Sequence, residues 1–192
     1  MLRVEYTNRS GNVWRGPGAL VRLPNPAGEV HCLVAPNPVL PSSALSSLRR
    51  VSLYAPAGPV ASASSGGIAR DWVRRVWGEQ ERGFTLVELT ASAVQAILAG
   101  RAKSRAVATA AEGMRTTGVY GSGGALAEKS ATIARVRDET LELSYTISED
   151  VLLVGEDGNL LAVTSGDKNN ELYSFEKIVN EFMEDRMWQI RY

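Results

Sequence analysis

Apolar positions along the chain fall into short runs cut by glycine and proline, more often than into long stripes at helical spacing. Val4–Thr7, Ala19–Leu23, Glu29–Ala35, Arg50–Tyr54 and Phe84–Leu89 are short and rich in β-branched residues, the pattern of strands between turns. Asn25-Pro26-Ala27-Gly28 supplies turn chemistry, so Ala19–Ala35 predicts a hairpin. Ala55–Gly67 shows no core-forming pattern and predicts a surface loop. Trp72, Val73, Val76 and Trp77 recur at helical intervals and predict a short helix over Ile68–Trp77.

Thr90–Ala111 is Ala-rich and reads as a helix or as an extended connector. Beyond it the strand pattern returns in Arg115–Tyr120, Ala131–Arg137, Thr140–Ile147, Val151–Val154 and Leu160–Thr164. Gly121–Gly124, Asp138-Glu139 and Glu156–Asn159 read as the turns. At the end, Phe175, Ile178, Val179, Phe182 and Met183 line one face of a helix that Ser174 can cap. The whole predicts an all-β, mainly antiparallel chain of two barrel-like lobes, with a short helix in the first. The lobes are expected at 1–90 and 113–173, with an Ala-rich connector at 91–112 and a terminal helix at 174–192.

Composition fits a folded chain: of 192 residues, 44% are hydrophobic and 22% charged. No apolar run reaches the roughly 18–20 residues that span a bilayer. The first residues lack the apolar block of a signal peptide, and the lone Cys32 has no partner for an internal disulfide. A cytoplasmic location is therefore expected. Net charge is zero but uneven. Residues 1–115 carry 14 Lys/Arg against 7 Asp/Glu, and residues 116–192 carry 7 against 14. Such halves neutralise each other within one molecule or between molecules head to tail. For the second arrangement, Met183, Met187, Trp188 and Ile190 would serve as an anchor.

Certain phrases resemble a known family. Arg15-Gly-Pro-Gly-Ala-Leu-Val-Arg22 resembles the hairpin entry of chymotrypsin-like serine proteases. Cys32-Leu-Val-Ala-Pro-Asn37-Pro-Val-Leu40 resembles the phrase in which their catalytic histidine follows a strand, with Asn37 in its place. Gly118–Gly121 and Ser148–Gly166, with Asn169 and Asn170 beyond, resemble the second barrel of small RNA-virus proteases of the sobemovirus type. The resemblance implies two packed barrels, with Asn37, Thr85 and Ser148 at the positions where a triad would stand.

A serine nucleophile needs an imidazole base, a carboxylate that orients it, and backbone N–H groups shaped for an oxyanion. Here Asn37 replaces the His, Thr85 stands where the Asp is expected, and Ser148 lies between Ile147 and Glu149 without flanking glycine. A carboxylate at Glu149 opposes developing negative charge. The expectation is a pseudoprotease: no enzyme, but a viral scaffold for protein partners or self-association. One alternative is an RNA-associated or coat-type viral protein that uses Arg49, Arg50, Arg70, Arg74, Arg75, Arg101, Lys103 and Arg105, with Trp72 or Trp77 stacking on bases. The other is an active serine hydrolase with an unorthodox site at Ser148.

Other candidates fall away. His31 and Cys32 are consecutive in a predicted strand, so their side chains face opposite ways and cannot form a dyad. One His and one Cys cannot build a zinc tetrad, and no cofactor or metal is expected. Gly123–Ser130 approaches a phosphate loop, but Glu128 takes the place of its second glycine and would repel phosphate.

Overall fold

The computed structural model describes residues 1–41, 50–79, 82–164 and 172–190, except the side chains of 63, 79 and 185–190. Arg49, Asn169 and Asn170, and the side chains of the expected anchor residues Met187, Trp188 and Ile190, lie outside the described residues.

The chain is mainly antiparallel β, as its pattern predicts. Strands β1 (Leu2–Thr7), β2 (Val13–Leu23), β3 (Val30–Pro36), β4 (Val51–Ala55), β5 (Gly58–Ala61), β6 (Val73–Glu79) and β7 (Phe84–Leu89) form the first sheet. Its order is β5-β4-β1-β2-β3-β7-β6. Helix α1 (Ala91–Ala99) follows, and then β8 (Ser104–Arg105) lies parallel to β2. Strands β9 (Arg115–Ser122), β10 (Ala125–Val136), β11 (Thr140–Leu143), β12 (Val151–Gly155), β13 (Leu160–Thr164) and β14 (Leu172–Ser174) close into a six-strand barrel, ordered β10-β11-β14-β13-β12-β9. Helix α2 (Phe175–Ile190) follows the barrel.

Two expectations need correction. Ile68–Trp77 is no helix: a 3-10 turn at Arg70–Trp72 leads into β6, which pairs Val76 with Val87 and Trp77 with Leu86. Valine and tryptophan favour a pleated surface, and the edge of β7 offers a ladder for the segment to join. The loop expected at Ala55–Gly67 contains β5, which β4 captures through a turn at Ala55–Gly58. The Ala-rich stretch is both of the things it could be. Helix α1 buries Ala93, Val94 and Ile97, and after Gly100 the left-handed Arg101 (φ 65°) ends it and releases an extended segment.

Strand alternation explains how the halves join. In β2 and β3, Leu20, Leu33 and Ala35 face a core with Leu2, Val4, Val51, Leu53, Val87 and Ile97. Their neighbours Ala19, Val21, Cys32 and Val34 point the other way, into a core shared with Leu152, Val154, Leu160 and Val163 of the barrel. Phe175, Ile178 and Phe182 of α2 complete that shared core. On the far face of the barrel strands, Val151, Leu153 and Leu161 fill the barrel interior with Ile133, Leu141 and Leu172. Strands buried on both faces have no polar side to present, which is why their sequences run apolar without alternation.

Polar links reinforce this seam. Arg82, before β7, donates to Glu181 of α2 (2.8 Å) and to Glu139 of the β10–β11 turn (3.1 Å). The Glu181 carboxylate, and Glu139 beside it, raise the pKa of this guanidinium further. Arg3 of β1 donates to the carbonyl of Gly124 in the β9–β10 turn. At Arg82 the basic and acidic halves of the chain therefore meet within one molecule.

Candidate functional site

Antiparallel register places Ala35 of β3 opposite Thr85 of β7 and Pro36 opposite Phe84. The Asn37 N–H then donates to the Gly83 carbonyl (2.8 Å), closing the strand end. This brings Asn37 over Thr85, whose hydroxyl donates to Asn37 Oδ1 at 2.8 Å. Thr85 is fully buried. The two positions that the sequence pairs as His and Asp equivalents are thus in contact. Their link is a neutral amide–hydroxyl bond, which offers no proton acceptor of imidazole strength.

Ser148 is exposed in the segment between β11 and β12. It lines a cleft of about 400 Å³ together with Glu149 and Asp150 of the same segment. Its other lining residues are Trp14 and Arg15 of β2, Pro38 next to Asn37, and Gly121 of β9. The third triad-like position therefore shares a cleft with the turn that carries the first. Glycine makes that approach possible. A Cβ on Gly121 would stand 2.7 Å from the Arg15 carbonyl oxygen, and one on Gly16 would stand 2.5 Å from Val39 Cγ2. Only a residue without a side chain lets β2 pass between β9 and the turn after Asn37.

The Ser148 N–H donates to Oε2 of Glu149 at 3.2 Å, so a carboxylate occupies the amide next to the hydroxyl. No histidine lines the cleft. The chain's one histidine, His31, lines a different pocket with Glu88 and Arg74. It points away from Cys32, which is fully buried in the shared core. Tyr145, in the same segment as Ser148, has its phenol pKa raised by burial and by the nearby Glu149 and Tyr120. Lys129 of β10 stands 4.0 Å above its ring. That lysine belongs to the near phosphate-loop phrase, which here is a tight Gly123–Gly124 hairpin turn and a strand, with no helix to receive phosphate.

Two features of the cleft escaped the sequence reading. Trp14 stays 39% exposed although it stacks on Tyr6 (centroids 6.0 Å apart, 26° between planes). Arg15 pairs with Glu5 across the β1–β2 ladder at 3.1 Å. A single exposed tryptophan in a strand carries no periodic signal, so only the fold reveals its position.

The basic candidates for nucleic acid are spread over separate elements. Arg50 stands half-buried just before β4. Arg70 and Arg74 are exposed at the entry to β6, and Arg75 lies half-buried with its guanidinium 5.5 Å from the Phe182 ring. Arg101 and Lys103 are exposed in the connector, while Arg105 is half-buried and donates to the Gly158 carbonyl. Burial lowers the Arg105 pKa. Trp77 packs on Phe84 and Phe182, and Trp72 packs against the first core. Among the described residues there is no cluster of three potential metal ligands, and no helix is long and apolar enough to cross a membrane.

No family model and no curated protein matches the chain. Solved structures do. One chain, solved in work on how aromatic interactions drive the coupled folding and binding of the intrinsically disordered Sesbania mosaic virus VPg protein, is 16% identical with a TM-score of 0.56. The match covers 93% of this chain and 88% of that one. This likeness is one of fold. Weaker likenesses link the chain to two proteases. The tobacco vein mottling virus protease is 12% identical (TM-score 0.45), over 90% of this chain and 74% of that one. The MamO protease domain from Magnetospirillum magneticum is 15% identical (TM-score 0.43), over 81% and 88%.

Proposed function

We propose that this chain is a protease-like viral scaffold without hydrolytic turnover, and that its Ser148 cleft binds a protein segment. The observation that carries this reading is the Glu149 carboxylate on the Ser148 amide. A tetrahedral intermediate is negatively charged, and a fixed carboxylate beside its oxygen raises the barrier that oxyanion donors would lower. The Asn37–Thr85 bond supports it from the other side, since neither group accepts the serine proton at neutral pH. What remains is a cleft lined by Trp14, Arg15, Glu149 and Asp150, a surface suited to contact. The study of the similar solved chain concerns a disordered viral protein that folds on binding through aromatic contacts, which agrees with such a role for Trp14.

A fluorophosphonate probe tests the inactivity. We expect no labelling at Ser148 at neutral pH. Stoichiometric labelling that Ser148→Ala abolishes would establish an active hydrolase instead.

A further inference from the structure

The two halves of the chain treat their strand edges differently. The second sheet closes on itself, whereas the first is open and ends in β5 on one side and β6 on the other. An open edge carries a row of backbone N–H and C=O groups without ladder partners, and such a row is a template for another strand. β5 is a poor template: it has four residues, Pro59 among them, and begins at Gly58 with φ 134°. β6 has seven residues and no proline. Its pairing with β7 is irregular only between Val73 and Arg75 and stays in register from there to Glu79. Among the described residues, no backbone bond of the loop before β6 reaches this edge. The Ser65 and Gly67 N–H groups donate to the Ser62 carbonyl, and the Trp72 N–H donates to the Ala69 carbonyl. The apolar residues of β6 are also incompletely covered. Val76 and Trp77 are half-buried, while Val87 and Leu86, opposite them in β7, are each 1% exposed.

We infer that β6 is an interface between two copies of this chain, which join their first sheets by antiparallel β6–β6 pairing about a two-fold axis at Val76. This inference is independent of the role proposed for the Ser148 cleft. A two-fold axis normal to the sheet keeps each side chain on its own face, so the pairing has to centre on a residue. Centring on Arg75 would set two guanidiniums directly opposite each other, which is unfavourable. Centring on Trp77 would set two indoles opposite each other on the face where Phe182 already packs, with ring centroids 5.4 Å apart. With Val76 at the centre, Arg75 comes opposite Trp77, a pairing that favours a cation beside an indole, and Arg74 comes opposite Gly78, where no side chain obstructs it. Val76 packs against the first core, so its pairing with itself carries that core across the interface. An identical edge makes every contact twice, as an isologous interface does.

Sedimentation velocity of the full chain over a range of concentrations tests this, with oxidative crosslinking as a second measurement. A monomer–dimer equilibrium is expected, and Val76→Lys should weaken the dimer by at least about tenfold, because a charge on an edge strand deters pairing. Val76→Cys should give a disulfide-linked dimer under mild oxidation, since directly opposed Cβ atoms of antiparallel strands lie about 4.5–5.5 Å apart. Gly78→Cys should not, because Arg74 stands opposite it. The native thiol, Cys32, is buried and does not compete. A thermal melt of Val76→Lys separates a lost dimer from a lost fold, and the two cysteine variants decide alone if that variant unfolds. A monomer at every concentration overturns the inference, and so does a folded Val76→Lys that dimerises as the native chain does. Crosslinking of Gly78→Cys as fast as that of Val76→Cys overturns it as well.

Discussion

Phe182→Ala tests whether α2 belongs to the core that joins the two sheets. Phe182 is 1% exposed and lies between Trp77, with ring centroids 5.4 Å apart, and the Arg75 guanidinium, 5.5 Å from its ring. Its neighbours in the shared core come from both halves of the chain: Val21 and Phe84 from one, Leu160 and Phe175 from the other. Removing a fully buried phenyl ring forfeits about 1.5–3 kcal/mol of transfer free energy. The cavity it leaves between two well-packed sheets brings the total to about 3–5 kcal/mol. For a chain of this length that is a fall in Tm of roughly 6–20 °C. Urea unfolding followed by tryptophan fluorescence and by far-ultraviolet circular dichroism measures it. The native protein should unfold in a single transition seen alike by both probes, because one apolar core couples the sheets. A loss below about 1 kcal/mol, or two separate transitions in the native protein, would refute the shared core as the junction.

Arg82→Ala should cost about 1 kcal/mol at low salt, a modest value because both partner carboxylates are about half exposed, and the cost should shrink in 1 M salt, measured by urea unfolding. Gly121→Ala should destabilise by about 1–3 kcal/mol, since its Cβ meets a carbonyl oxygen of the Arg15 backbone that cannot swing aside; the same melt checks it. Tyr145 has a raised phenol pKa in the folded chain, so the folded state holds its proton longer than the unfolded state. The linked stability is present below the unfolded pKa of about 10 and is lost as pH rises through the folded value. Tyr145→Phe should flatten the fall in stability measured by denaturant titration between about pH 9 and 11.

Much of the β architecture was legible in the chain because strand runs announce themselves locally. Phe84–Leu89 and Leu160–Thr164 are strands with the bounds the pattern assigns, and Phe175, Ile178, Val179 and Phe182 form the buried stripe of α2. Asn37, Thr85 and Ser148 stand out in the sequence because they occupy phrases that resemble a protease, but the bond from Thr85 to Asn37 and the Glu149 carboxylate on the Ser148 amide are read from the structure. Other features depend on distant parts of the chain. Whether Trp72–Trp77 coils or extends is decided by the free edge of β7, which supplies hydrogen bonds that helical spacing cannot foresee. That Val21 and Cys32 face one core while Leu20 and Leu33 face another follows from their strands being covered on both sides. The cleft itself unites residues from 14 to 150. Trp14, Gly121 and Glu149 share it only because two glycines let the strands close to contact distance, and the register of β2 between β1 and β3 then sets which side chains face it. Residue identity set the chemistry available at each position; the packing of one sheet against the other decided which of those chemistries meet.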